Sequence, residues 1–412
     1  MENVKNDEIE VYVVAAMSAG KSTLINSMLQ TKLMPSRWEG WCTAIITRIK
    51  DKDGTDWSAE VYNNENKIIE TCKELNYETM NRLNADERVS TIKISGDIPF
   101  VTSEDISLVL IDTPGLGNAR DPEHGKIQKA FLDPSSKALV LYVMDEIFGT
   151  QDDDTLLKQV AESMAVGGKQ SKDRFIFVVN KMDDRRPEDG DIPTTLDRVR
   201  SYLHQHGIEN PNLFPAAALP ALYIRLMKKA SEGKAQVDED LIEETEMKIR
   251  KFNRKQELHL ETYAPLASGI KKIIEDELEE AKRSEDYAAQ ALIHTGIVSI
   301  EMAIRQYIKK YIQPMKYSEA VNALLAVLGR AEYMEAAKQE EVIEECERLI
   351  DIYKQKIEEL QKAVTLYQSA CMYLENTEDS LEKRLSRKIT ESEKKSIQIK
   401  NIQNEIRSIL DI

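Results

Sequence analysis

The sequence predicts a doubly wound α/β domain with a mostly parallel sheet, followed by an all-α helical bundle or stalk. Three observations carry this. Short runs rich in Val and Ile alternate with helical stretches through the first 275 residues. A loop ending in Gly-Lys-Ser separates the first such run from the first helical stretch. Strong helix breakers then vanish from the last part of the chain. The expected division is residues 1–275 and 276–412.

The runs Ile9–Val14, Ala44–Ile49, Ser107–Ile111, Ala138–Met144, Arg174–Val179 and Asn212–Pro215 read as strands. They are mostly apolar, as strands covered on both faces must be. Helices following several of them point to the doubly wound arrangement. No Pro follows Pro314 and no Gly follows Gly329. From Val342 to Leu374 apolar residues recur every three or four positions, with Glu and Lys on the other faces. At about 1.5 Å per residue such a helix is too long for a compact globule, so it packs in a bundle or on another chain. The polar cluster Glu375–Ser380 fits a reversal between two helices.

The chain is 42% hydrophobic, enough for a packed core, and its 31% charged residues suit long solvated helices. A net charge of -16 argues against nucleic acid as a partner, because phosphate backbones attract basic surfaces. It also argues against adhesion of the whole molecule to anionic lipid. A local patch such as Lys383-Arg384-Leu385-Ser386-Arg387-Lys388 could still make peripheral membrane contact, though a solvated charged helix face is the favoured reading. The four cysteines are scattered without a CxxC pair and read as free thiols of a reducing cytoplasm. The N-terminus has no signal-peptide pattern, and no apolar stretch is long enough to span a bilayer.

Four motifs then appear in order, each at a strand end. Ala15-Ala16-Met17-Ser18-Ala19-Gly20-Lys21-Ser22 joins the first strand to the helical stretch Thr23–Leu29, which is the required context of a phosphate loop. Backbone N–H groups of Ser18, Ala19, Gly20, Lys21, Ser22 and Thr23 cradle phosphates, Lys21 neutralises the β/γ oxygens, and the Ser22 hydroxyl binds Mg²⁺. Ala15 replaces the usual first Gly, which is tolerable at negative φ. Thr43, in the loop before the second strand, offers Mg²⁺ a second hydroxyl, while Trp38 and Trp41 suit packing as well as contact. Asp112-Thr113-Pro114-Gly115 supplies a carboxylate that holds Mg²⁺ through water and a Gly115 N–H that senses the γ-phosphate. Asn180-Lys181-Met182-Asp183 sets the base: the Asp183 carboxylate accepts from guanine N1–H and its amine, a donor pair adenine lacks. Phe214-Pro215-Ala216-Ala217-Ala218 fits the loop whose backbone meets guanine O6, with a plain strand end almost as good a description. GTP and GDP are therefore the expected ligands, GTP the substrate and Mg²⁺ the cofactor.

On the Met17–Ser22 loop, the Pro35–Thr43 segment, Ile98-Pro99-Phe100 ahead of Asp112, the long Lys21-to-Asp112 spacing and Ser268-Gly269-Ile270, the first part of the chain resembles the GTPase domain of bacterial dynamin-like proteins. The resemblance implies GTP hydrolysis coupled to dimerisation through GTPase faces, self-assembly through a helical stalk, and membrane remodelling. It also implies a charge-compensating K⁺ or Na⁺ near Ser18. Met17 stands where a water-positioning glutamine is usual, and Leu116 follows the Asp112 motif, so neither side chain orients a water. Catalysis then falls to Lys21, Ser22, Thr43, Ser18 and Gly115, with Arg37 a candidate for charge stabilisation. A GTP-binding coiled-coil scaffold with little turnover, or a soluble regulatory GTPase acting on a protein, are the alternatives.

Overall fold

Alternating side chains along β1 (Glu8–Ala15) explain the architecture: Val11 and Val13 enter one buried cluster, Tyr12 and Val14 another. A strand with both faces apolar needs a layer on each side, and it has them. The computed structural model describes residues 8–15, 19–35, 45–102, 107–113, 128–133, 135–145, 151–166, 168–185, 190–233, 235 and 237–313. The helical stripe from Val342 to Leu374 and the basic patch at 383–388 lie outside them.

The remaining strands are β2 (Ile46–Asp51), β3 (Ser58–Tyr62), β4 (Ile68–Cys72), β5 (Thr91–Gly96), β6 (Ser107–Asp112), β7 (Leu139–Met144), β8 (Phe175–Val179) and β9 (Asn212–Pro215). They form one sheet in the order β4-β3-β5-β2-β6-β1-β7-β8-β9. The run from β6 to β9 is parallel throughout, and β2 also pairs parallel with β5. β2 meets β6 antiparallel, and β3 lies antiparallel between β4 and β5. The sheet is thus mostly parallel, as expected. β3, β4 and β5 were not among the predicted strands. Inward and outward residues alternate along β3 and β5, and β4 buries none of its residues, so all three lack the continuous apolar run that marks a doubly covered strand.

One face of the sheet is covered by α1 (Lys21–Leu29), through Leu24, Ile25, Met28 and Leu29. The other carries α3 (Gln151–Ala165) and α5 (Ile192–Gln205), through Leu156, Val160, Leu196 and Val199. Two shorter helices, α2 (Tyr77–Asn84) and α4 (Gly168–Asp173), also precede β9. Beyond it run α6 (Ala218–Ser231), α7 (Glu239–Arg254), α8 (Ser268–Arg283), α9 (Tyr287–His294) and α10 (Ile297–Tyr307). No single helix among the described residues is long and apolar enough to cross a membrane. The apolar stretch through α9 and α10 is bent by 64° at its break, and Ile293, Ile297, Ile300 and Ile304 sit in the core beside α1.

A buried ion pair fixes α10 to α6 and, through Ser27, to α1. Arg225 on α6 donates to the two Glu301 carboxylate oxygens at 2.6 and 2.8 Å, and to the Ser27 carbonyl at 2.6 Å. Both residues are only 6% exposed, so neither charge can turn to water when its partner is lost. Removing one member of such a pair costs about 3–5 kcal/mol. Glu301→Ala should therefore lower unfolding stability in urea by about that amount, and adding Arg225→Met should recover most of it. A Glu301→Ala loss under about 1 kcal/mol would contradict the role given to this pair.

Candidate nucleotide-binding site

The four motif segments converge along the carboxyl ends of the parallel strands, where open α/β sheets place their ligands. β1 ends at Ala15 and α1 begins at Lys21, with Ala19 and Gly20 between. Gly20 has φ 85°, and a Cβ there would lie 2.4 Å from Asn180 Nδ2. Both facts demand glycine: the left-handed backbone and the close approach. Gly20 has no side chain to cap α1, so the first-turn N–H groups and positive end of the helix remain available to an anion.

Asn180, 2% exposed after β8, ties the motifs together. Its Nδ2 donates to the Ala19 carbonyl at 3.0 Å, and its Oδ1 accepts from the Ala218 N–H at 3.1 Å. Its own N–H donates to the Met144 carbonyl at the end of β7 at 2.8 Å. One amide therefore links the phosphate loop to the loop after β9.

Lys21 is buried and bonds both the Asp112 carboxylate and the Thr113 carbonyl. Asp112 closes β6 in register with Val13, and the Thr113 hydroxyl donates back to the Val13 carbonyl at 2.9 Å. Ser22 and Thr23 follow on the first turn of α1, half-buried. Hard oxygen donors, the Ser22 hydroxyl and the Asp112 carboxylate, beside a buried cation form a set that suits Mg²⁺ and phosphate oxygens.

At the base-reading end, Asp183 is 6% exposed. Its Oδ2 accepts from Lys248 Nζ at 2.9 Å, and its carbonyl accepts from Lys251. Burial alone would lower the Lys248 pKa; the hydrogen bond and charge of Asp183 outweigh it, and the net shift is upward. Lys181 adopts φ 62° and reaches Asp145 at 3.0 Å. The Ala217 N–H donates to the Thr295 carbonyl at 2.9 Å, and the Ala216 carbonyl accepts from Met182 at 3.1 Å. Ala19, Gly20, Lys21, Ser22, Asp112, Asn180, Asp183, Ala217 and Ala218 thus belong to one row of strand ends. Ser18, Arg37, Thr43 and Gly115 lie outside the described residues.

Sequence reasoning missed Lys248, Lys251 and Thr295. Lys248 falls on the inner stripe of α7 with Thr245 and Phe252, at steps of three and four, and a lysine on that stripe was the available signal. Thr295 gave none, since its contribution is a backbone carbonyl.

Gly20→Ala should cut nucleotide affinity at least about 100-fold, because the phosphate loop must move to relieve both φ and the contact with Asn180. Asn180→Ala should cost about 10-fold, the worth of a buried hydrogen bond or two. Titration with a fluorescent nucleotide checks both, and a Gly20→Ala protein that binds normally would separate this loop from the ligand.

Residues 11–182 match the model of the Dynamin family. The chain is 27% identical over 258 residues to an uncharacterized protein in the xynA 3′ region of Caldicellulosiruptor sp. (strain Rt8B.4). That match takes in 62% of this chain and 58% of the relative's length. Two solved chains of an oligomerised bacterial dynamin pair, described as a mechanism for the long-range sensing and tethering of membranes, align with TM-scores of 0.43 and 0.41. Their identities are 14% and 17%; they cover 92% and 99% of this chain, which in turn spans 59% and 61% of theirs. With its β-strand ends carrying the phosphate loop and base-reading motifs, the segment that the Dynamin family model matches is a P-loop GTPase domain.

Proposed function

We propose that this protein binds guanine nucleotides with Mg²⁺ and hydrolyses GTP, coupling dimerisation and self-assembly to mechanical or membrane-remodelling work. The observation that carries the nucleotide part is Asn180, which holds the Lys21 loop and the Ala218 loop at a fixed spacing beside the Asp183 carboxylate. In this scheme Lys21 exchanges Asp112 for the β/γ-phosphate oxygens. Ser22, Thr43 and, through water, Asp112 hold Mg²⁺, which neutralises charge developing on the phosphates. Asp183 accepts from guanine while Lys248 keeps its second oxygen engaged and Lys251 holds its backbone. The Ala217 and Ala218 backbone flanks the base edge, and the Gly115 N–H faces the γ-phosphate. Ser18 contributes to a K⁺ or Na⁺ site and Arg37 to charge stabilisation.

Met17 and Leu116 leave no side chain at those positions to orient the attacking water. The missing positioning group then comes from backbone, a bound cation or the GTPase face of a second copy. The helical stripe after Val342 gives self-assembly its second surface. A cytoplasmic location with peripheral membrane contact through the 383–388 patch belongs to the same proposal. Met17 and Leu116 equally favour one alternative, a GTP-binding scaffold that barely turns over.

Fluorescent GTP and GDP should bind far more tightly than ATP, and Asp183→Asn should shift preference towards xanthine nucleotides, since the amide donates where the carboxylate accepted. Lys21→Ala should abolish tight triphosphate binding. Equal affinity for adenine and guanine nucleotides would remove Asp183 from the site. Turnover per subunit should rise with protein concentration and with K⁺, by one or more orders of magnitude when a group supplied in trans completes the site. Measurable GTPase activity that stays flat across concentration and cation would refute assembly-driven catalysis, whereas negligible turnover throughout would select the scaffold.

A further inference from the structure

On the segment linking α7 to α8, behind the loop that follows β9, stand His259 and Glu261, and His294 at the end of α9 meets them. The His259 and His294 rings stack with centroids 3.6 Å apart and planes 2° from parallel. His294 Nδ1 lies 2.9 Å from one Glu261 oxygen, Oε1. The His259 Nε2 and the Glu261 Oε2 are both buried, and neither has a hydrogen-bond partner among the described residues. Buried polar atoms left without a partner are costly to the fold.

We propose that His259, Glu261 and His294 form a binding site for a divalent transition-metal ion of the zinc class. An ion–pair reading, His294 imidazolium on Glu261, accounts for Oε1 and leaves both orphan atoms unexplained. A metal accounts for all of them. Two imidazoles and one carboxylate make a donor set for a borderline ion, whereas Mg²⁺ and Ca²⁺ take oxygens. One ligand atom from each residue lies within 4.8 Å of the other two. Tetrahedral donors about 2.0–2.1 Å from zinc stand about 3.4 Å apart, so binding requires the two parallel rings to tilt out of their stack until their in-plane lone pairs converge on the ion. The ion would staple the α7–α8 segment to α9 one residue before Thr295, whose carbonyl holds the Ala217 N–H. Its place is therefore structural, beneath the base-reading loop, and separate from the Mg²⁺ and phosphate end.

The test is Zn²⁺ titration of the chelator-stripped, nucleotide-free full chain against a chromophoric competitor. One tight equivalent per chain is expected, weakened at least about 100-fold by His259→Gln and by Glu261→Gln. His204→Gln on α5 should leave it unchanged. Absence of a tight equivalent, or affinity indifferent to both substitutions, overturns the site. Should the variants misfold, X-ray absorption of the zinc-loaded wild-type chain decides: two imidazoles with oxygen support the proposal, and sulfur or all-oxygen coordination refutes it.

Discussion

Asn180 is the side chain on which the described half of the site depends. A primary amide is the one neutral group that donates and accepts from a single planar end, and both functions are used, on Ala19 and Ala218. An aspartate at this position would lose the donor; an apolar residue would leave a buried carbonyl and a buried N–H without partners. Gly20 is the complement of that constraint. Asn180 can approach the phosphate loop so closely because nothing projects from Gly20.

The second glycine with a comparable duty is Gly296, at φ 77°, where a Cβ would lie 2.3 Å from the Pro215 carbonyl. It lets the bend between α9 and α10 press against the end of β9 and present the Thr295 carbonyl to Ala217. α7 approaches from the side, with Lys248 on the Asp183 carboxylate. Helices that follow the sheet in sequence therefore supply the support of its base-reading end. The described residues through Gln313 fall in one compact unit, which gives α8, α9 and α10 to the same body as the sheet.

Much of this was legible in the sequence because the informative positions are over-determined. A phosphate loop needs Gly, Lys and Ser in fixed order between strand and helix, and Asn180 and Asp183 must end a buried strand; few other residues meet those demands. The parallel strands announced themselves as apolar runs. β3, β4 and β5 did not, because strands with an exposed face carry Glu60, Glu70 and Lys93 among their apolar residues. The pairing of Lys248 with Asp183 spans 65 positions, and sequence periodicity carries no information about which distant loop an inward lysine will meet. The Glu261–His294 contact was hidden for the same reason.

The Arg225 linkage has a mechanical meaning. The carbonyl it grips belongs to Ser27, in the last turn of a nine-residue helix whose first residue is Lys21. A hydrogen-bonded helix of that size is a stiff strut roughly 13 Å long. Arg225 ties the far end of this strut to Glu301 on α10, so one buried guanidinium holds both the helix that begins at Lys21 and the helix that carries Glu301.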